Sequence, residues 1–183
     1  MGWKPLYRLL RGPYSPMTGL ALSDSEILEA ISKGLVRIEP FRREALNPAG
    51  YDLSADQEVE IPPGAFRLVA TKEWVELGPS HMGILQIRSS FAREGLIAST
   101  ALIDPGFKGQ LTVMIFNASQ EPIRIMEGEG FMQMALLRLG RAASRGYSGA
   151  YQGSVGVVGS RRSKPKEERR FWSLFRKIRV AYI

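Results

Sequence analysis

Between Asn47 and Leu139, glycine and proline signals cut the chain every dozen residues or so into apolar runs of strand length. Val59 and Ile61 precede the turn Pro62-Pro63-Gly64, which leads into Phe66-Arg67-Leu68-Val69. Ile84-Leu85-Gln86-Ile87, Leu111-Thr112-Val113-Met114-Ile115-Phe116 and Ile123-Arg124-Ile125 follow. Runs of this length, separated by turn residues, predict an all-β barrel or sandwich.

What flanks this region differs in kind. Residues 1–20 carry Pro5, Pro13 and Pro16, which exclude a long helix and predict an irregular arm. Ser23-Asp24-Ser25-Glu26 has the form of a capping box, in which the Ser23 hydroxyl and the Glu26 carboxylate satisfy free amides reciprocally. Ile27, Leu28 and Ile31 give the helix that follows an apolar face, and Gly34 is placed to end it. A β domain over residues 21–140 then gives way to a segment rich in Gly, Ser and Ala over 141–160, too poor in apolar side chains to order itself by burial, and read as a loop or lid.

Charge separates the last segment, 161–183, from the rest. The chain of 183 residues has a net charge of +7, and the stretch from Arg161 to Arg179, with nine basic residues against Glu167 and Glu168, carries all of it. The body is therefore neutral, which excludes a body-wide nucleic-acid footprint. In the tail, Phe171, Leu174, Phe175 and Ile178 recur at helical spacing among arginines and lysines, predicting a basic amphipathic helix. Packing on the protein's own β domain or a neighbouring subunit is its expected fate, ahead of docking on nucleic acid or an anionic surface.

Other classes fall away on composition. With no cysteine and His81 the sole histidine, neither disulfides nor a zinc deaminase of the His/Cys/Cys kind can be built. No run approaches the roughly 18 apolar residues of a membrane span, and the start of the chain lacks a leader pattern, so the expected location is the cytoplasm.

Within the β region several side chains have the chemistry to hold a polyanion and act on it. Arg88-Ser89-Ser90 offers a guanidinium fork and two hydroxyls, either as a phosphate cradle or as an ordinary polar strand end; Arg93 is a second cation in reach. Asp104-Pro105-Gly106-Phe107 reads as a type II turn. Asp104 either stabilises that turn or presents its carboxylate to a water beside a triphosphate. Phe107 is core or a flat wall beneath a sugar, selecting deoxynucleotides. Gln133 is a lone amide in an apolar strand and needs partners.

Taken together, Asn47-Pro48-Ala49-Gly50-Tyr51-Asp52-Leu53, Arg88-Ser89-Ser90, Ile103-Asp104-Pro105-Gly106-Phe107-Lys108-Gly109 and the run from Gly128 to Gln133 resemble, in order and spacing, the successive motifs of the dUTPase and dCTP deaminase superfamily. The stretch from Leu22 to Phe41 resembles the deaminase branch. The resemblance implies a distorted β-barrel, a homotrimer with active sites shared between subunits, and Mg²⁺ held mainly by the triphosphate. It also implies that the segment around Tyr151-Gln152-Gly153 is a closing lid whose Tyr151 and Gln152 meet substrate.

One departure bears on the branch. Deaminases of this family carry a glutamate in the strand after the Asp-Pro-Gly turn, and Met114 stands at that position. A thioether has no proton to move at neutral pH. The expectation is therefore a dUTP diphosphatase, in which Asp104 activates the water that releases pyrophosphate from dUTP and Arg88, Ser89, Ser90 and Gln133 bind phosphates. The alternatives are a dCTP deaminase, a bifunctional dCTP deaminase–dUTPase, and a silent nucleotide-binding trimer.

Overall fold

The computed structural model of the protein describes residues 19–99 and 101–162. Most of the N-terminal arm and the basic helix expected at Phe171–Ile178 lie outside the described residues.

Helix α1 (Asp24–Ser32) begins as its sequence dictates: Ser23 Oγ accepts from the Glu26 N–H, and the Glu26 carboxylate accepts from the Ser23 N–H at 3.0 Å. Gly34, at φ +66°, turns the chain out of the helix into β1 (Val36–Glu39), whose alternating burial seats Val36 and Ile38 in the core. A single turn of 3₁₀ helix (Arg43–Ala45) leads to β2 (Leu46–Asn47), which pairs with β3 (Gly50–Ser54) across Pro48-Ala49. Then come β4 (Val59–Ile61), the long β5 (Phe66–Leu77) and β6 (His81–Ile87). A six-residue helix α2 (Ser89–Glu94), ended by Gly95 at φ 101°, separates β6 from β7 (Leu96–Ala98). The order closes with β8 (Leu102–Ile103), β9 (Lys108–Asn117), β10 (Ile123–Ile125) and β11 (Gly130–Arg138).

The mainly β expectation holds, but among the described residues no closed barrel forms. The strands make three sheets, ordered β1-β5-β9-β7, β10-β4 and β2-β3-β11-β6-β8. Pairing stops where it does because the edge strands are short and bounded by residues that cannot extend a ladder: β2 runs into Pro48, and β8 into Asp104-Pro105. One apolar core serves all three sheets, with Leu53, Ile61, Leu85, Ile115, Ile125, Phe131 and Met134 each at most 1% exposed. Among the described residues no helix is long and apolar enough to cross a membrane.

A bulge in β5 shapes the region near the candidate site. Ala70 pairs with Thr112 and Trp74 with Gln110, so β5 has two residues more than β9 over the same span. The excess turns Glu73 fully inward, and Thr71 Oγ1 replaces a lost ladder bond by accepting from the Leu111 N–H at 2.9 Å.

Candidate active site

The Asp-Pro-Gly turn forms as its sequence predicts. Gly106 has φ 83°, and the Phe107 N–H donates to the Asp104 carbonyl at 3.1 Å. Two further bonds pin the turn to the end of β5: the Gly106 N–H donates to the Leu77 carbonyl at 2.8 Å and the Leu77 N–H to the Phe107 carbonyl at 3.0 Å. Asp104 is thereby held exposed at the rim of a cleft of about 350 Å³.

Along β9, Gln110, Thr112 and Met114 share one face at the period of two and line that cleft, with Leu68 from β5 opposite and Ser99 beyond β7. Phe107 belongs to the core and also reaches the cleft. It is 7% exposed, packs edge-on against Tyr147 with ring centroids 5.8 Å apart, and lines the cleft. Of the described residues that line the cleft, Asp104 alone carries a carboxylate. Gln110, Thr112, Ser99 and Leu68 were not singled out from the sequence. The period-two placement of Gln110 and Thr112 with Met114 was the available signal.

Tyr151, from the C-terminal segment, also lines the cleft, and its ring carries the Arg161 guanidinium 5.9 Å from the centroid. Gln152 is bound to the turn itself: its Oε1 accepts from the Lys108 N–H at 2.9 Å and its Nε2 donates to the Gly106 carbonyl at 2.8 Å. Residues 141–162 form no strand or helix, yet they are fastened rather than loose. Backbone and side-chain hydrogen bonds to β9 supply the order that apolar burial does not.

The residues expected to hold phosphate lie outside the cleft lining. Arg88 precedes α2, its Nε 3.1 Å from Asp52 Oδ2 and its Nη1 donating to the Gly130 carbonyl at 3.0 Å. Asn47 Nδ2 donates to Asp52 Oδ1 at 2.8 Å, so the Asn47–Leu53 motif aims the carboxylate that aims the arginine. Ser89 and Ser90 are exposed on the first turn of α2, and Arg93 is exposed on its last. Gln133 pairs in register with Asp52 on one side and Gln86 on the other. Arg88, Ser89, Ser90, Arg93 and Gln133 are not among the residues lining the cleft that holds Asp104.

The fold is similar to that of both dUTPases and dCTP deaminases of known structure. A dCTP deaminase from Agrobacterium tumefaciens superposes with a TM-score of 0.57 at 16% identity, over 66% of this chain and 47% of that one. The native dUTPase of EIAV gives a TM-score of 0.51 at 23% identity, over 63% and 98%. These likenesses show a fold that the chain shares with both kinds of enzyme.

Sequence narrows this further. Residues 54–139 match the family described as dCTP deaminase-like. A dCTP deaminase of Pyrococcus horikoshii is 44% identical over 144 residues, covering 70% of this chain and 92% of that protein. The dUMP-forming dCTP deaminase of Aquifex aeolicus is 32% identical over 170 residues, covering 78% and 94%. The chain belongs to the dCTP deaminase-like family. These relatives overturn the expectation of a plain dUTP diphosphatase: Met114 marks a departure inside the deaminase branch, not a move out of it.

Proposed function

We propose that this chain binds dCTP and removes its 4-amino group, with Asp104 as the proton carrier. The observation that carries this reading is the position of Asp104: in a chain 44% identical to a dCTP deaminase, it is the carboxylate at the cleft that also holds Met114. Asp104 takes a proton from water as the water oxygen bonds to C4 and delivers it to N3. It then takes the new hydroxyl proton and gives it to the amino nitrogen as the C4–N4 bond breaks. Ammonia leaves and the uracil carbonyl remains, so one carboxylate performs both transfers.

Phe107 and Leu68 supply apolar walls suited to a sugar and a base, and Arg88, Ser89, Ser90, Arg93 and Gln133 supply phosphate ligands. Because these phosphate ligands do not line the cleft of Asp104, each site in our reading is completed across a subunit boundary in a homotrimer. Mg²⁺ enters this reading as a partner of the triphosphate. When bound it would neutralise phosphate charge.

The test is ammonia release from dCTP, followed together with nucleotide product. Stoichiometric ammonia and uracil nucleotide support the reading. Tight dCTP binding with no ammonia would replace it with the second reading, a deoxynucleotide-binding protein without turnover, which Met114 favours. Mixing Arg88→Ala and Asp104→Asn chains tests the shared site, since activity returns on mixing only if the two groups meet between subunits.

A further inference from the structure

A second groove opens where β4 leaves β5. The Asp56 N–H donates to the Ala70 carbonyl at 3.0 Å and Ala55 bridges Thr71, which ties the chain after β3 to β5 at that point. The chain then turns away as β4 to pair with β10, and among the described residues no ladder joins β4 to β5. The gap holds a groove of about 110 Å³ walled by Val59, Val69 and Ala70, with Leu68 between it and the cleft of Asp104. Val157 forms the remaining wall. Gln110 Oε1 accepts from the Gly156 N–H at 2.6 Å and Thr112 Oγ1 from the Val158 N–H at 3.0 Å, which leaves Val157 between them to face the groove. Val157 is nonetheless 58% exposed, so apolar surface stands uncovered here.

The rim of the groove is acidic. Asp56 and Glu58 line it, and with Glu60 they set three carboxylates against one guanidinium: Arg124 Nε lies 3.3 Å from Glu58 Oε1 and its Nη2 lies 2.8 Å from Glu60 Oε2. Among the described residues the half-buried Asp56 carboxylate has neither a hydrogen bond nor an ion pair. Apolar walls under unbalanced negative charge suit a partner that carries cations beside an aromatic or aliphatic side chain.

The chain itself contains such a segment. Residues 163–183 have a net charge of +5, with Arg169-Arg170 just before Phe171 and Arg176-Lys177 just after Phe175. The described residues end at Arg162, five residues past Val157 and so within about 18 Å of it, while the nine residues 163–171 span about 30 Å when extended. The segment is therefore long enough to return to the groove. The basic N-terminal arm is placed less well: it enters where Ala21 bridges Leu137, at the far end of β11 from the Gly130–Ser54 pair beside the groove. Size agrees too, since an apolar cavity of about 150 Å³ takes up benzene, and an open groove of 110 Å³ has room for a single phenyl group.

We propose that residues 163–183 dock on this groove of their own protomer, seating the ring of Phe171 or Phe175 among Val59, Val69 and Val157 and setting the flanking arginines and lysines against Asp56 and Glu58. Docking buries apolar surface that groove and segment each leave to water, and the charges fix which way the segment lies. The docking is independent of the reaction at Asp104.

The test reads hydrogen exchange over residues 164–180 in the full chain and in three variants. Glu58→Lys/Val157→Ser alters the groove at two exposed positions, Phe171→Ala/Phe175→Ala alters the segment, and Glu58→Asp/Val157→Ile keeps charge and apolar character. We expect the parent to exchange these amides at least tenfold more slowly than an unstructured peptide, the first two variants to lose most of that protection, and the third to keep it. Unprotected amides in the parent, or equal protection in the parent and Glu58→Lys/Val157→Ser, would overturn the docking. Carbodiimide coupling in a mixture of isotope-labelled and unlabelled protein reports whose groove is used. Bonds from Lys164, Lys166 or Lys177 to Asp56 or Glu58 within one chain support the proposal; bonds only between chains, or none, would overturn it. Protection that appears only when duplex DNA or phosphatidylserine vesicles are added would overturn it as well, and would make the segment an electrostatic anchor.

Discussion

Ser54 on β3 satisfies both carboxylate oxygens of Glu73 in the β5 bulge: its N–H donates to Oε2 at 2.8 Å and its hydroxyl to Oε1 at 2.7 Å. Arg42 Nη2 reaches Oε1 at 3.3 Å, and the glutamate side chain is wholly buried. Removing the carboxylate leaves a buried amide, a hydroxyl and a guanidinium short of a partner. Glu73→Ala should therefore cost roughly 3 kcal/mol of stability in urea unfolding. A loss below about 1 kcal/mol would show that water replaces the carboxylate there.

Asp104→Asn keeps the turn, whose bond runs from the Phe107 N–H to the Asp104 backbone carbonyl, but an amide cannot carry a proton at neutral pH. Ammonia release from dCTP should fall by roughly 10²-fold or more with little change in Kd. Turnover within a few-fold of the parent would remove Asp104 from the chemistry.

Met114→Glu places a second carboxylate on the β9 face that lines the cleft. If proton transfer limits the reaction, kcat for dCTP should rise by roughly tenfold or more. An unchanged kcat in a protein that still binds dCTP would mean that a step other than proton transfer sets the rate.

Phe107→Ala removes a ring that is 7% exposed and stacked edge-on against Tyr147. A stability cost of about 3 kcal/mol is expected from the cavity. Opening the wall should also lower the preference for dCTP over CTP in kcat/KM. An unaltered preference would assign Phe107 to the core alone.

His81 gives the fold a pH dependence. The ring is 2% exposed, and burial, aided by the nearby Arg138 charge, lowers its pKa from the usual 6.5. The unfolded chain takes up the proton first as pH falls, so this contribution is complete above about 6.5 and declines below it, by at most about 1.4 kcal/mol per pH unit until the folded pKa is reached. Tm should drop between pH 7 and 5, and His81→Gln should flatten that slope. Parallel slopes in the two proteins would assign the effect to other groups.

Local chemistry made much of this protein legible from its residues. Ser23 and Glu26 can cap one helix only, and Pro105 with Gly106 can make one kind of turn, because each signal acts within four residues along the chain. The motif order carried the superfamily, while Met114 pointed the sequence reading to the wrong branch: a single residue states what one side chain cannot do, whereas similarity over 144 residues reports the whole lineage.

Sequence by itself determined the mainly β character, the α1 cap, the Asp104 turn and the separation of a neutral body from a basic tail. Tertiary structure alone decided the rest: three sheets in place of a barrel, Glu73 turned inward by the β5 bulge, Arg88 aimed by Asp52, and the 154–158 segment fastened to Gln110 and Thr112. Each of these depends on which strands pair and in what register, a choice made between residues dozens of positions apart. Composition and spacing carry no record of it.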